Sequence, residues 1–288
     1  MNPPARPAWL KHELYPFQDR WLDIDGNRVH DLDEGRGPTL LLLHGNPTWS
    51  FLYRHIVSAL VDSYRCVAID YPGFGLSTAR QGYGFTPREH SQVVEQLVHA
   101  LDLSDLAMMV QDWGGPIGLG FAERDPDRVR ALVIGNTWAW PLNGKPRFER
   151  FSALMGGPIG RTAIRNFNAF VNLIIPVGTA RSLRHEEMRA YRGPFPTRAS
   201  RTPTAIFPRQ LIAARAYLAD VEANLPRLSR KPALIVWGAN DFAFRKPERR
   251  RFEQIFPDHR TVLLEGARHF IQEDEPERIA SEIRAFVR

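Results

Sequence analysis

Asp112 is the residue whose type and position most clearly suggest chemistry. It ends the apolar run of LAMMVQDWGGPIGL and is followed by Trp113 and two glycines. A sharp strand-to-helix turn at such a place lifts a side chain above the sheet, and small neighbours relieve the crowding. A carboxylate held there can displace a leaving group from saturated carbon and form an alkyl ester, which water must then hydrolyse. We therefore predict that Asp112 is a nucleophile, with a helix-capping aspartate as the alternative.

A general base and an acid that orients it are the partners that such an ester requires. His269 stands near the C-terminus in LLEGARHFIQEDEPE, just after the last predicted strand, and Asp241 stands in IVWGANDFAF at the mouth of the preceding strand. The chain order of nucleophile, acid and base is one that recurs with this kind of turn. We predict that His269 is the base and Asp241 the acid, the alternatives being a surface histidine and a turn aspartate.

A glycine turn in HGNPTW, residues 44–49, leaves the first apolar run. Its backbone N–H groups can point into the same mouth and, with the N–H of Trp113, form an oxyanion hole for the tetrahedral intermediate. His44 itself is interpreted as structural, beneath the turn.

Short apolar runs alternate with helical patterns along the chain and must position these residues. The predicted strands are TLLLLHG (39–45), RCVAID (65–70), LAMMVQD (106–112), RALVIGN (130–136), PALIVWG (232–238) and TVLLEG (261–266). Continuous apolar runs of this length are typical of strands covered on both faces, so an α/β fold with a mostly parallel central sheet flanked by helices is predicted. Residues 15–34 predict an antiparallel hairpin at the edge of this sheet.

The alternation stops after residue 136 and resumes at Pro232. The intervening segment has no strand-like runs, which favours a helical cap inserted into one domain. We predict a core of residues 1–136 and 226–288 and a cap of residues 137–225.

The composition favours a folded chain, since 43% of the residues are hydrophobic, and argues against a nucleic-acid partner, since 38 basic residues are offset by 32 acidic ones. Cys66 is the only cysteine, so neither an internal disulfide nor a thiolate metal cluster can form. The first residues are broken by prolines and charges, and no later stretch reaches membrane-spanning length. We predict a cytoplasmic protein without a membrane partner.

Five motifs, in this order along the chain, resemble those of a haloalkane dehalogenase of the α/β-hydrolase superfamily: HGNPTWSFLYR, DYPGFGLS, VQDWGGPIGL, WGANDFAF and GARHFIQED. The resemblance covers about residues 15–288 and is weakest in the cap. It implies a small halogenated hydrocarbon as substrate, with an alcohol, a halide ion and a proton as products. No metal or organic cofactor is implied, and a homo-oligomer is compatible with the exposed cap.

In that family, a halide is held by N–H donors from a Trp directly after the nucleophile and from a second Asn or Trp. The resemblance therefore implies that Trp113 and Asn46 bind halide, with core packing and turn formation as their alternatives. Members differ in where the acid lies. In some members the acid follows the strand before the cap, where this chain has Asn136, and in others it follows the strand after the cap, where this chain has Asp241. The chain therefore resembles the branch with an Asp-His-Asp triad and an Asn-Trp halide pair.

Two other functions stay open. Epoxide hydrolases share the aspartate nucleophile and its partners but depend on two cap tyrosines, for which Tyr191 and Tyr217 are the candidates between residues 137 and 225. A hydrolase-fold protein that only binds a small molecule is the alternative from another class, although all three members of the predicted triad are present. An acid substrate is disfavoured, because dehalogenases of acids carry arginine where this chain has Trp113.

Overall fold

The structure, a computed structural model, describes residues 5–287. An eight-stranded sheet forms the centre of this part of the chain. Its strands are β1 (Arg20–Ile24), β2 (Asn27–Glu34), β3 (Thr39–Leu43), β4 (Arg65–Ile69), β5 (Leu106–Asp112), β6 (Val129–Thr137), β7 (Ala233–Gly238) and β8 (His259–Leu264). The order across the sheet is β1-β2-β4-β3-β5-β6-β7-β8, and only the pairs β1–β2 and β2–β4 are antiparallel. The predicted α/β class and the edge hairpin are confirmed.

The central strands β3 and β5 are buried along almost their whole length because helices cover both faces of the sheet. The helices that surround the sheet are α1 (Arg54–Leu60), α2 (Pro87–Ala100), α3 (Gly114–Ala122), α10 (Lys246–Ile255), α11 (Ile271–Asp274) and α12 (Pro276–Phe286). Helix α3 begins at Gly114, only two residues after Asp112, so the turn between β5 and α3 is tight.

Between β6 and β7 the described chain forms six further helices and no strand of the sheet. They are α4 (Pro146–Gly156), α5 (Pro158–Phe167), α6 (Ala169–Gly178), α7 (His185–Arg192), α8 (Thr202–Ala213) and α9 (Arg215–Asn224). This helical content agrees with the pattern of the sequence, and residues 137–225 are called the cap below; treating them as a unit separate from the core stays a prediction.

The carboxyl ends of β3, β5, β7 and β8 lie at the same edge of the sheet, because these strands run parallel. This edge is where an α/β sheet commonly binds its ligands. The residues predicted to do chemistry all follow or end these strands.

None of the helices within residues 5–287 has both the length and the apolar character needed to cross a membrane. The cytoplasmic location and the homo-oligomer stay predictions.

A buried histidine ties the edge hairpin to the loop after β4. The His30 ring contacts Asp70 Oδ2 at 2.8 Å through Nδ1 and Asp19 Oδ1 at 3.2 Å through Nε2. Burial by itself would lower the pKa of His30, but the charge of Asp70 and the hydrogen bonds to both carboxylates raise it to about 9. The protonated ring therefore stabilises the fold.

This pKa predicts a pH-dependent stability. Because the folded-state pKa of His30 lies above the unfolded value of about 6.5, the contribution is complete below that pH and is lost as the pH rises through about 9. We expect the difference in unfolding free energy between wild type and His30→Gln, measured with urea, to be larger at pH 6 than at pH 9.5 by up to about 3 kcal/mol. A difference independent of pH would contradict the assignment.

Candidate active site

Asp112 lies at the tip of a strained turn between β5 and α3. Its backbone φ is +50°, a left-handed conformation that a non-glycine residue rarely adopts. A Cβ at Gly45 would lie 2.2 Å from Asp112 Oδ1, and one at Gly114 would lie 2.1 Å from the carbonyl oxygen of Leu43, so both glycines are needed for the close approach. Asp112 Oδ1 accepts a hydrogen bond of 2.8 Å from the backbone N–H of Asn46. The carboxylate is thus fixed at the mouth of the sheet.

His269 lies between two carboxylates. Its Nδ1 is 3.1 Å from Asp241 Oδ2, and its Nε2 is 3.6 Å from Asp112 Oδ2. All three side chains are buried. Burial by itself would lower the pKa of His269, but the charge of Asp241 and the nearby Asp112 carboxylate raise it to about 10. Both carboxylates therefore favour the protonated form of the resting ring.

The donors expected from Asn46 and Trp113 border the space in front of Asp112. Neither the indole N–H of Trp113 nor the side-chain N–H of Asn46 finds an acceptor within residues 5–287, whereas the backbone of Asn46 holds the nucleophile. The Trp113 ring packs edge-on against Trp138 at 4.7 Å and Phe207 at 5.0 Å, which fixes the direction of its N–H. Two free donors thus flank the carboxylate.

A mostly apolar cavity lies between the core and the cap, in front of Asp112 and His269. Its volume is about 90 Å³. Its lining consists of Asn46, Asp112, Trp113, Arg147, Phe148, Phe151, Phe170, Ile174, Pro208, Leu211, Phe242, Ala243, Phe244 and His269. Apart from Arg147, which pairs with Glu248 at 3.2 Å, the polar lining residues are those predicted to do chemistry. A small apolar molecule in this cavity would meet Asp112 in a poorly hydrated environment.

Gln111 and Asn136 support the site, and the sequence analysis did not assign them this role. The Gln111 side-chain amide donates to the carbonyl oxygen of His269 at 3.1 Å and lies 3.2 Å from ring Nε2. Asn136 accepts from the N–H of Gly238 at 2.8 Å and donates to the carbonyl oxygen of Arg268 at 2.8 Å. Each is a buried amide at the end of a mostly apolar strand, and a polar side chain in such a run is the feature of the sequence that could have pointed to them.

His44 lies beneath the turn, as interpreted from the sequence. Its Nδ1 contacts the carbonyl oxygen of Gly45 at 2.8 Å, and its Nε2 accepts from the N–H of Tyr71 at 3.3 Å. Burial lowers the pKa of His44 to about 4, so the ring is neutral.

Comparison with known proteins agrees with this geometry. The pattern of the alpha/beta hydrolase fold family matches residues 38–276. Haloalkane dehalogenase 2 of Mycobacterium tuberculosis is 47% identical over 273 residues, which cover 94% of this chain and 95% of the relative. A cis-3-alkyl-4-alkyloxetan-2-one decarboxylase of Shewanella oneidensis is 34% identical over 95% of this chain and 89% of its own length. The crystal structure of haloalkane dehalogenase DbeA from Bradyrhizobium elkani superposes with a TM-score of 0.86 at 27% identity, covering 94% of this chain and 97% of that one.

The fold and the family pattern together define an α/β hydrolase. Within that class, the chain belongs to the haloalkane dehalogenase family. The family predicted from the five motifs is confirmed, whereas the roles of individual residues are proposals.

Proposed function

We propose that this protein hydrolyses carbon–halogen bonds of small haloalkanes. The observation that carries the proposal is the apolar cavity with the Asp112 carboxylate at its floor, two free N–H donors beside it and the paired His269 and Asp241 behind it. The identity to a haloalkane dehalogenase over most of the chain supports the same function.

In the first step, Asp112 attacks a saturated carbon, so that a carbon–oxygen bond forms while the carbon–halogen bond breaks and the halide leaves with the bonding electrons. The indole N–H of Trp113 and the side-chain N–H of Asn46 stabilise the departing anion, and the apolar walls exclude competing water. The product of this step is an alkyl ester of Asp112.

In the second step, the charge of Asp112 has been lost to the ester, so His269 gives up its resting proton to solvent. As the neutral base, it then takes a proton from the water that attacks the carbonyl carbon of the ester. Asp241 orients the ring through Nδ1. The backbone N–H of Asn46, which contacts Asp112 Oδ1, is placed to stabilise the oxyanion, together with the N–H of Trp113. Collapse of the tetrahedral intermediate releases the alcohol and regenerates the carboxylate; the net products are an alcohol, a halide ion and a proton.

The positions of the two cap tyrosines argue against an epoxide hydrolase, the alternative that the sequence left open. The hydroxyl of Tyr191 donates to Glu273, and that of Tyr217 donates to the carbonyl oxygen of Pro116 at 2.8 Å. Both tyrosines are buried, and neither is among the residues that line the cavity. They are therefore not placed to protonate an epoxide oxygen in this cavity.

The proposed function is tested by bromide release and acidification with 1,2-dibromoethane and 1-bromobutane, run beside diol formation from styrene oxide and carbon dioxide release from a cis-3,4-dialkyloxetan-2-one. Bromide without diol or carbon dioxide is expected. Diol alone would establish an epoxide hydrolase, and carbon dioxide alone would establish the activity named for the Shewanella relative.

The halide donors give a second prediction. Replacing Trp113 with phenylalanine keeps an aromatic ring but removes the indole N–H, and Asn46→Ala removes the amide donor. Since removal of one donor to a developing anion costs about 2–4 kcal/mol, we expect kcat/KM for 1-bromobutane to fall about 30- to 1000-fold in each variant. Bromide quenching of tryptophan fluorescence should weaken in Asn46→Ala.

Trp138→Phe is the matched control for this prediction. Trp138 contacts Trp113, but its own buried N–H finds no partner within residues 5–287 and it does not line the cavity. A loss in Trp138→Phe as large as that in Trp113→Phe would show that packing, and not the N–H donor, explains the effect.

A further inference from the structure

The segment that carries the candidate base, residues 268–270 together with α11, is packed against a segment of the cap, residues 178–187, called the brace below. The backbone N–H of Phe270 donates to the carbonyl oxygen of Gly178 at 2.9 Å. A Cβ at Gly178 would lie 2.5 Å from the Phe270 ring and 3.4 Å from His269 Cβ. The brace thus holds Phe270 by a hydrogen bond and leaves no room for a side chain at Gly178 between itself and the Phe270 ring.

Further hydrogen bonds connect the brace to the end of the same segment. Asp274 Oδ1 accepts from the backbone N–H of Ala180 at 2.7 Å, and Asp274 Oδ2 accepts from the N–H of Arg268 at 2.9 Å. The Arg181 Nε donates to the carbonyl oxygen of Glu273 at 2.8 Å. Both ends of the segment are therefore fixed to the cap.

A buried group of charges anchors the brace beneath these contacts. Glu273 accepts from Arg54 of the core at 2.5 and 2.9 Å and also from Arg181 and Tyr191 of the cap. Glu187 accepts from Arg54 and Arg181, each at 2.9 Å. The two carboxylates are buried and each is shared between Arg54 and Arg181, so a displacement of the brace would leave a buried carboxylate without one of its partners.

We propose that the brace positions His269 for hydrolysis of the alkyl ester, so that the cap contributes to the second chemical step as well as to the substrate cavity. This inference rests on the proposed function. His269 takes no part in the attack on the halide-bearing carbon, whereas it must hold water in line with the ester carbonyl in the second step. A displaced ring would therefore slow ester hydrolysis and leave alkylation nearly unchanged.

Gly178→Ala is the first test, since the added methyl group pushes against Phe270 and the backbone conformation at Gly178 suits alanine. Val177→Ala is the matched control, because Val177 is 54% exposed. Rapid-quench single turnovers with 1-bromobutane separate the two rate constants. In Gly178→Ala we expect ester hydrolysis to slow about 10-fold or more, with alkylation within about threefold of wild type and the alkyl-enzyme accumulating.

Asp274→Ala tests the same idea at a position that is only half-buried, where folding is less at risk. It removes the acceptors of both the Ala180 and the Arg268 N–H groups, whereas Asp274→Asn retains one acceptor oxygen and should restore ester hydrolysis in part. Equal slowing of both steps, or no change in either step, in both Gly178→Ala and Asp274→Ala would overturn the proposal.

A readout without substrate keeps this inference separate from the proposed function. The ring ¹⁵N signals of His269 should match between wild type and Val177→Ala and should shift or broaden in Gly178→Ala and Asp274→Ala. Unchanged signals in both of the latter variants would refute the brace even if the wild type dehalogenates. Failure of the wild type to release bromide would instead refute the proposed function.

Discussion

Replacing Asp112 with alanine is expected to abolish halide release, by at least about 10⁴-fold, because no other carboxylate of residues 5–287 lines the cavity. Asp112 Oδ1 is held at 2.8 Å by the N–H of Asn46, whereas Asp241 contacts His269 Nδ1 and does not line the cavity. The measurement is bromide release from 1-bromobutane over hours at high enzyme concentration.

Two observations make this loss interpretable. The far-ultraviolet circular dichroism and the melting temperature of Asp112→Ala should show a folded protein, and bromide should still quench the fluorescence of Trp113. If the variant is folded and retains more than about one hundredth of the wild-type rate, Asp112 is not the nucleophile.

Replacing His269 with phenylalanine should stop turnover after the first step and trap the ester. His269 alone among the cavity-lining residues combines a titratable ring with a carboxylate partner, Asp241, at 3.1 Å. The attack by Asp112 needs no base, so the variant should consume one equivalent of 1-bromobutane and release one equivalent of bromide. Intact-mass spectrometry should show one added butyl group, located by peptide analysis on Asp112.

The double variant Asp112→Ala/His269→Phe is the control and should carry no adduct. If His269→Phe binds bromide but acquires no alkyl group, the two-step scheme is wrong. If the adduct forms on another residue, the scheme survives and the nucleophile is reassigned.

The elements that carry the site could be predicted because each has a local signal. Continuous apolar runs indicate buried parallel strands, and an aspartate followed by tryptophan and two glycines indicates a turn too crowded for larger residues. Asp112 ends a predicted strand, and Asp241 and His269 each follow one. Because these strands are parallel, all three residues lie at one edge of the sheet.

The brace and the cavity walls could not be predicted, because they depend on contacts between distant segments. Gly178 lies more than 90 residues before Phe270, and nothing near either one indicates the hydrogen bond between them. The polar exceptions in the strands, Gln111 and Asn136, were visible in the sequence, but their partners were not.

In the proposed mechanism, the position of the His269 ring between two carboxylates couples its protonation to the reaction itself. In the resting site, Asp112 and Asp241 both favour the protonated ring of His269. Alkylation turns Asp112 into a neutral ester, so one of the two anions disappears and the affinity of His269 for its proton falls. In the proposed mechanism, formation of the ester therefore weakens proton binding by the base that hydrolyses it, and we expect a pH indicator to record part of the proton release with the bromide, before any alcohol appears.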